Sequence, residues 1–285
     1  MQSAVGHADQ AKQAKQAKQA GLARRNFVMK CGGSTLAALP DSFFDDLARL
    51  QSEGLQPVIV HGGGPAISDN LAKLGIETEF IHGLRKTTEP VLDVVEMVLA
   101  GSINKQIVRR IGMHGGRALG LSGSDGYLIE AKPVPNAAEV GWVGEVTSVQ
   151  ASIITGVLDM SYMPVIAPIG IDRSGQRYNI NADTAAGAVA SHLGVSRMIV
   201  VTDVPGILKK NGVEKKVLES ITIQEIEDMI STGEIYGGMI PKVRAAIACI
   251  HGKVKEVVIV DGSEPQVLSR VLSGESIGTR IVRMQ

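Results

Sequence analysis

Residues 27–65 read FVMKCGGSTLAALPDSFFDDLARLQSEGLQPVIVHGGGP, and this stretch decides the fold class. Its two ends, residues 27–31 and 57–61, are short and mainly apolar runs, and each run leads directly into glycines. Between them, residues 40–53 carry Leu and Phe at helical spacing. Two buried strands separated by an amphipathic helix predict a parallel sheet covered by helices, which is an α/β fold.

The same rhythm continues to the end of the chain. Further strands are predicted at residues 161–167, 197–202 and 256–261, and further helices at 65–74, 183–193, 222–231 and 241–251. Residues 141–149 alternate as a hairpin would, which predicts an antiparallel lid or edge. No linker rich in Pro, Gly or Ser divides the chain. We therefore expect a three-layer α/β sandwich whose two lobes share one mainly parallel sheet.

The composition favours small ligands over macromolecular partners. The 285 residues include 29 Lys and Arg against 29 Asp and Glu, so the formal net charge is zero. Nucleic acid and anionic membranes select basic surfaces, and we expect neither as a main partner. The two cysteines, Cys31 and Cys249, form no C-x-x-C pair and no Cys/His metal cluster, which favours a reducing cytoplasm. No apolar run reaches the length of a membrane span.

Residues 1–26 form a low-complexity extension that contains three Ala-Lys-Gln repeats. These residues have good helix propensity, but they offer no apolar stripe that a helix could bury. We expect a solvated extension, and a helix for oligomerisation or effector binding is the alternative.

Two glycine-rich segments follow the first two predicted strands. Residues 30–34 read KCGGS, and residues 61–65 read HGGGP. Ligands of open α/β sheets bind at the carboxyl ends of strands, where backbone N–H groups and helix N-termini converge. Adjacent glycines let a phosphate or carboxylate approach these donors directly. Each segment alone could equally be a tight turn, but the two together with Lys30 indicate an anion site.

Several other nucleotide-binding and hydrolase patterns are absent or incomplete. The sequence contains neither G-x-x-x-x-G-K-[ST] nor G-x-G-x-x-G, which argues against a P-loop enzyme and a dinucleotide-binding oxidoreductase. Residues 274–278, GESIG, match a nucleophile elbow, and HGGG resembles an esterase oxyanion loop. No His, Asp or Glu follows Ser276, so a hydrolase triad in that order is excluded.

Six motifs occur along the chain in a familiar order: KCGG at 30–33, HGGG at 61–64, GLR at 83–85, NINAD at 179–183, TDVPGI at 202–207 and GGMIPK at 237–242. In this order and spacing, from residue 27 to the end, the chain resembles the N-acetylglutamate kinases of the amino acid kinase family. The resemblance implies an ATP-dependent transferase of arginine biosynthesis that phosphorylates a side-chain carboxylate. Another carboxylate or carbamate kinase of this fold, such as an aminoadipate-type kinase, and a non-catalytic nucleotide-binding sensor are the alternatives.

The resemblance also implies the catalytic groups. A carboxylate is already ionised at neutral pH, so its attack on a phosphoryl group needs charge neutralisation rather than a general base. By similarity, Lys30 and Lys242 would flank the transferred phosphoryl group, and Asp183 would hold both ammonium groups. The backbone N–H groups of Gly33 and Gly63 would bond the same oxygens.

For the acid substrate, the resemblance implies that Arg85 binds the α-carboxylate, since a guanidinium fork matches a carboxylate. Asn179 would bond the amide region, Gly63 and Gly64 would offer backbone contacts, and Asn181 is a further candidate. Alone, Arg85 could be a surface arginine and Asn179 a turn residue.

The resemblance places ATP across the C-terminal lobe. The implied ATP-binding residues are Lys30, Gly32, Thr202, Asp203, Gly206, Ile207, Tyr236, Gly238, Met239 and Lys242. Mg²⁺ is implied as well, held mainly by nucleotide phosphates and water, since the sequence shows no metal site of its own.

The resemblance further implies how the lobes divide the work. Residues 27–178 would bind the amino-acid substrate and residues 179–285 the nucleotide, and a homodimer would form through the N-terminal lobe. Ser124 departs from the family pattern, in which many relatives carry lysine, and this leaves the contribution of the loop at 121–126 open.

Overall fold

The computed structural model describes residues 26–211, 214–252 and 254–283. The extension predicted at residues 1–26 lies outside the described residues, except for Asn26, which begins the first strand. The strands, in chain order, are β1 (Asn26–Cys31), β2 (Gln56–His61), β3 (Phe80–Ile81), β4 (Leu84–Arg85), β5 (Ala118–Ser122), β6 (Ile129–Pro133), β7 (Val143–Val149), β8 (Met163–Ala167), β9 (Ile169–Ile171), β10 (Arg177–Ile180), β11 (Arg197–Thr202), β12 (Leu208–Asn211), β13 (Glu214–Val217), β14 (Ser220–Thr222), β15 (Glu256–Asp261) and β16 (Thr279–Val282).

The helices connect these strands and cover the sheet. They are α1 (Gly33–Ala38), α2 (Asp41–Ser52), α3 (Gly64–Lys73), α4 (Glu89–Glu96), α5 (Asn104–Met113), α6 (Ala137–Val140), α7 (Ala151–Asp159), α8 (Ala182–Leu193), α9 (Ile223–Ser231), α10 (Met239–His251) and α11 (Val267–Ser273), with a π-helix at Met97–Ile103 and a 3₁₀ turn at Asp125–Tyr127. The elements predicted in the opening stretch and its later repeats lie within two residues of these bounds. Among the described residues, no helix combines the length and the apolarity that crossing a membrane requires.

The main sheet has eight strands in the order β14-β16-β15-β11-β1-β2-β8-β5. Neighbouring strands run parallel except β15 and β16, so β14 and β16 oppose the other six. The prediction of a mainly parallel sheet is therefore confirmed. Early and late strands meet at the β1–β11 pair, so both halves of the chain belong to this one sheet.

Two apolar cores lie on the two faces of this sheet. Along β1, Phe27, Met29 and Cys31 enter one core, while Val28 enters the other. Helices α8 and α10 cover the Val28 face, and α2, α3, α4, α5 and α11 cover the opposite face. Because successive side chains of a strand point to opposite faces, a strand covered on both faces must be apolar throughout. This burial explains why the strands of the opening stretch lack polar alternation.

A small closed barrel of β10, β7, β6 and β9 stands beside the main sheet. The prediction of an antiparallel element at residues 141–149 is confirmed, but the element belongs to this closed barrel rather than to an open edge. Val143–Val149 forms one strand, which pairs antiparallel with β6 and parallel with β10. The alternating sequence correctly indicated a strand with two different faces, but alternation carries no information about the partner strand.

The glycine segments after β1 and β2 pack directly against each other. Gly62 N donates a hydrogen bond to Cys31 O at 2.9 Å. A Cβ atom on Gly33 would lie 2.5 Å from both N and Cα of Gly63. Backbone atoms cannot rotate away as a side chain can, so glycine is required at this approach.

Substitution Gly33→Ala is expected to destabilise the fold, because the added methyl overlaps the backbone of Gly63. We expect a loss of about 2–3 kcal/mol in the free energy of unfolding, as for other overpacked sites. Urea unfolding measures this change.

The matched control is Gly156→Ala on the exposed side of α7, where a Cβ meets no atom within 4 Å. Since alanine favours helix over glycine, the control should gain about 1 kcal/mol. Wild-type stability in Gly33→Ala would contradict the close approach of the two segments.

Candidate active site

Two cavities open at the carboxyl ends of the central strands. The first, which we call the glycine cavity, has a volume of about 230 Å³. Its polar and glycine lining comprises Lys30, Gly33, Gly62, Gly63, Gly64, Gly83, Arg85, Asn179, Asn181 and Asp183. The sequence had singled out most of these residues, and the fold brings them together from β1, β2, β4 and β10 and from the starts of α1, α3 and α8.

Lys30 and Asp183 form an ion pair in the glycine cavity. Lys30 Nζ lies 3.0 Å from Asp183 Oδ1, and both side chains are largely buried. The Oδ1 atom receives no well-aligned hydrogen bond from any described residue, so charge rather than hydrogen-bond geometry holds the pair. Strand β1 delivers the lysine, and the first turn of α8 delivers the aspartate.

Lys242, on the first turns of α10, approaches the same region from the other side. Its ammonium donates a hydrogen bond to Thr202 Oγ1 at 2.8 Å, at the end of β11. Partial burial lowers the pKa of Lys242, the positive charge of Lys30 lowers it further, and Asp203 and Asp183 oppose the shift. The two lysines are thus close enough to interact. Among the described residues, Asp183 forms an ion pair with Lys30 but not with Lys242. The resemblance implied that Asp183 holds both ammonium groups, and the structure shows this contact only for Lys30.

Arg85 is buried in the glycine cavity, with 6% of its surface exposed. Its Nη2 donates to Gly64 O at 3.0 Å and to Ser68 Oγ at 2.8 Å, and the guanidinium lies 4.6 Å from the centre of the Phe80 ring. Burial lowers the pKa of Arg85. Within the described part of the chain, no carboxylate lies at ion-pair distance from it. A buried guanidinium with only neutral partners is prepared to receive an anion.

The two asparagines of residues 179–183 have different surroundings. Asn179 Nδ2 donates to Thr87 Oγ1 at 3.1 Å, so this side chain is tied to a residue near Arg85. Asn181 Oδ1 accepts hydrogen bonds from the backbone N–H groups of Asp183 and Thr184, which makes Asn181 the N-cap of α8. Both line the glycine cavity, but the Asn181 oxygen is already occupied by the helix.

The second cavity, about 310 Å³, lies beside Lys242, and we call it the Tyr236 cavity. Its lining includes the sequence-predicted residues Gly206, Ile207, Tyr236, Gly238, Met239 and Lys242, together with Val204, Leu208, Glu234 and Ile235. Apolar side chains and glycines give it the character of a site for a flat ring. Four other predicted ATP-binding residues lie outside this lining: Lys30 lines the glycine cavity, Thr202 holds Lys242, Asp203 bonds Thr202, and Gly32 N faces Val201 O.

Sequence reasoning missed the apolar wall of the glycine cavity. That wall consists of Ile67, Phe80, Leu84, Leu99, Val143 and Pro168. Such side chains occur throughout any core, so no motif marks them. It also missed Ser68 and Thr87, whose hydroxyl groups contact Arg85 and Asn179. A lone hydroxyl residue gives no signal in a sequence.

A larger cavity, of about 650 Å³, lies at the opposite end of the sheet, beside the starts of β1 and β11. Its arginines are already paired: Arg49 with Asp46 and Glu53, Arg197 with Glu256, and Arg270 with Glu275. The volume of a cavity therefore does not identify the functional site. A site for a charged ligand needs charged side chains that are not already neutralised by ion pairs. Across the described residues, no group of three or more His, Cys, Asp or Glu side chains could hold a metal ion.

His61 lies fully buried behind the glycine segment of β2. Its Nδ1 lies 3.1 Å from Gly62 O, and its Nε2 lies 3.3 Å from Nδ2 of the buried Asn104. The neutral tautomer with its proton on Nδ1 satisfies both contacts, since Asn104 donates to Nε2. Burial lowers the pKa of His61 to about 4.

This burial predicts a loss of stability in acid. Unfolded His61 takes up a proton near pH 6.5, but the folded site resists it down to about pH 4. The stabilisation is therefore complete above pH 6.5 and is lost as the pH falls, by about 1.4 kcal/mol per pH unit. Urea unfolding of the wild type and His61→Asn at pH 7.0 and 5.0 measures it.

The His61→Asn variant should lose less stability between these two pH values than the wild type does. Exposed His192 supplies the control, since His192→Asn should keep the wild-type loss. Equal losses in all three proteins would contradict a buried neutral imidazole at position 61.

Comparison with known proteins agrees with this geometry. The family model described as the amino acid kinase family matches residues 25–261. An acetylglutamate kinase of Geobacillus sp. (strain WCH70) is 48% identical over 257 residues, which cover 90% of this chain and 98% of that protein. An acetylglutamate kinase of Halalkalibacterium halodurans is 48% identical over 254 residues, covering 89% and 95%. The solved structure of smu.665 from Streptococcus mutans superposes with a TM-score of 0.80 at 29% identity, covering 91% and 99%. The chain belongs to the amino acid kinase family.

Proposed function

We propose that the protein is an acetylglutamate kinase, which transfers the γ-phosphoryl group of ATP to the side-chain carboxylate of N-acetyl-L-glutamate in arginine biosynthesis. The observation that carries this proposal is the buried guanidinium of Arg85, which lacks a carboxylate partner among the described residues and faces a cavity of about 230 Å³. The relatives named acetylglutamate kinase cover about nine-tenths of the chain.

In this proposal, the glycine cavity holds the acid substrate. Arg85 pairs with its α-carboxylate, and Asn179 bonds its amide region. The backbone N–H groups of Gly63 and Gly64, at the start of α3, are available because glycine leaves the approach open. The apolar wall around Leu84 and Val143 contacts the carbon chain of the substrate. Asn181 acts first as the N-cap of α8 and only borders this site.

The transfer step needs neutralised charge and in-line placement. The substrate carboxylate attacks the γ-phosphorus, its oxygen forms the new P–O bond, and the bond to the β-phosphate oxygen breaks with ADP as the leaving group. Lys30 approaches this centre from β1 and Lys242 from α10. Their positive charges neutralise the negative charge of the transferred group. Asp183 orients Lys30 directly, while Thr202 orients Lys242. Gly33 and Gly63 supply backbone donors.

The nucleotide occupies the Tyr236 cavity, with its base among Ile207, Tyr236 and Met239 and its phosphates directed towards Lys242. Gly32, Gly206, Gly238 and Asp203 border this path. The ammonium groups of Lys30 and Lys242 are donors that fit phosphate oxygens, while the carboxylates of Asp183 and Asp203 are engaged with Lys30 and Thr202. Mg²⁺ therefore fits as an ion that arrives with ATP, bound by phosphates and water, where it would neutralise phosphate charge. In this proposal residues 27–178 bind mainly the acid substrate and residues 179–285 mainly the nucleotide, while Asn179 at the boundary contributes to the acid site.

A homodimer formed through the N-terminal lobe is part of this proposal. Strand β5 is the last strand of the main sheet on that side, and Leu119 on it is 39% exposed. Met113, at the end of the adjacent α5, is 81% exposed. An open edge and exposed apolar side chains suit a second copy of the chain. Sedimentation velocity tests the homodimer: a monomer at micromolar protein concentration would contradict it.

A cytoplasmic location is also part of this proposal. The two unpaired cysteines are consistent with that location.

A hydroxamate assay tests the activity. The protein is incubated with ATP, Mg²⁺ and hydroxylamine, which traps an acyl phosphate, and with N-acetylglutamate, glutamate, aspartate or carbamate in separate reactions. We expect hydroxamate with N-acetylglutamate, and ADP release in the same proportion. Product with only free glutamate or aspartate would overturn the acetylglutamate assignment, and absence of any product would favour a non-catalytic nucleotide-binding protein.

A further inference from the structure

Thr87 is buried between β4 and α4, and its hydroxyl group touches two residues of the glycine cavity. Its exposed surface is 0%. Oγ1 donates a hydrogen bond to Arg85 O at 2.7 Å and accepts one from Asn179 Nδ2 at 3.1 Å. A hydroxyl group has a single proton. Since Arg85 O takes this proton, Thr87 can only accept from the Asn179 amide.

The backbone of Thr87 is fixed as tightly as its side chain. Thr87 N donates to Val140 O at 2.8 Å, and Thr87 O accepts from Trp142 N at 2.8 Å. Between these partners, Gly141 has φ +72, and a Cβ atom there would lie 2.4 Å from Thr87 O. Glycine at 141 therefore lets the barrel segment approach Thr87 closely enough for both hydrogen bonds.

These contacts close a ring. Asn179 N donates to Trp142 O at 2.9 Å, and Trp142 N donates to Thr87 O. The side-chain Nδ2 of Asn179 donates to Thr87 Oγ1 and completes the ring. The ring joins the segment after β4 to β10 across 92 residues of sequence. Among the described residues, the Asn179 side chain has one N–H bound to the protein, while its second N–H and its Oδ1 remain for a ligand.

We propose that Thr87 is a positioning residue that sets the orientation of the Asn179 amide and of the Arg85 segment as one unit, and thereby the recognition of an N-acylated amino acid. An amide side chain that can turn over presents either an oxygen or an NH₂ group. Because the Thr87 hydroxyl can only accept a hydrogen bond from Asn179, it fixes the amide with its NH₂ group towards Thr87. This inference rests on the proposed function, because it concerns how the acid substrate is held.

Steady-state kinetics of Thr87→Val, which keeps the shape and removes the hydroxyl group, tests the proposal. We expect the KM for N-acetylglutamate to rise about tenfold, the effect of losing one neutral hydrogen bond at a recognition site. The kcat and the KM for ATP should stay within about twofold, since neither cavity loses a charged group. Thr87→Ser retains the hydroxyl and should restore the wild-type KM.

A double variant separates positioning from packing. If Thr87 acts through the amide, Thr87→Val should add little to the KM of Asn179→Ala, because the orientation of an absent amide cannot matter. The matched control is Thr155→Val on α7, whose Oγ1 bonds only its own helix backbone and whose loss should leave the kinetics unchanged.

Three results would overturn the proposal: an unchanged KM for N-acetylglutamate in Thr87→Val, equal changes in both KM values and kcat, or fully additive effects with Asn179→Ala. If the valine variant does not fold, Thr87→Cys replaces the hydroxyl by a weakly bonding thiol of similar size, and a wild-type KM in that variant has the same meaning. If the wild type does not phosphorylate N-acetylglutamate, the proposed function fails and this inference fails with it. If the wild type phosphorylates N-acetylglutamate and Thr87→Val has the wild-type KM, only the inference about Thr87 fails.

Discussion

Lys242→Ala is expected to lower kcat about 10³-fold, at the upper end for removal of one preorganised donor from a transition state. The reason is the position of the ammonium, which is half-buried, is held by Thr202 at 2.8 Å, and lines the Tyr236 cavity. In the proposed arrangement the base of the nucleotide contacts other residues of the Tyr236 cavity, so the KM for ATP should change by less than about fivefold. Steady-state kinetics with N-acetylglutamate and ATP separates the two effects.

The control for Lys242→Ala is Lys132→Ala on β6, whose side chain is 62% exposed and pairs with Glu145 at the surface. That variant should keep both wild-type constants, since exposed ion pairs contribute little. Fluorescence titration with ATP provides a second measurement. A Lys242→Ala protein that turns over normally but binds ATP weakly would show that Lys242 only anchors the nucleotide, and would refute its role in transfer.

Arg85→Ala is expected to raise the KM for N-acetylglutamate about 100-fold, because a buried carboxylate would lose its charged partner. The guanidinium is held in place by Gly64 O and Ser68 Oγ, so the binding geometry exists before the ligand arrives. The kcat at saturating acid should fall far less, since Arg85 contacts the α-carboxylate rather than the reacting group. Initial rates over a wide range of N-acetylglutamate concentrations measure both.

Arg85→Lys refines this prediction. Lysine keeps the positive charge but cannot form the planar fork, so its KM should lie between those of the wild type and the alanine variant. Arg173→Ala, at a side chain that is 70% exposed, is the control and should be silent. If Arg85→Ala chiefly lowered kcat, or raised the KM for ATP, Arg85 would have to be reassigned to the phosphoryl group or the nucleotide.

Some contacts of the site could be predicted from local sequence, and others could not. The KCGG and HGGG segments follow buried strands, and parallel strands bring their carboxyl ends to one edge of the sheet. Local sequence therefore predicted that Lys30, Gly33 and Gly63 would meet. It also indicated a helix near Asp183, and the structure adds that Asn181 caps that helix.

Other contacts could not be read from local sequence. Thr202 was predicted to border the nucleotide, and local sequence gave no sign that its hydroxyl group would hold Lys242. Strand β7 was expected in an antiparallel lid or edge, but it closes a barrel with β6, β9 and β10. Both outcomes depend on which distant segment lies opposite, and neither side-chain alternation nor a motif specifies that segment.

The layered α/β architecture and the positions of the glycine segments could be predicted from the amino-acid pattern, because they follow from burial periodicity and from the backbone freedom of glycine. The folded chain was needed to show that Arg85 is buried without a carboxylate partner among the described residues, and that the Thr87 hydroxyl joins Arg85 to Asn179. A charge becomes available to a ligand only when the surrounding groups leave it unneutralised, and those groups come from segments far apart in the chain.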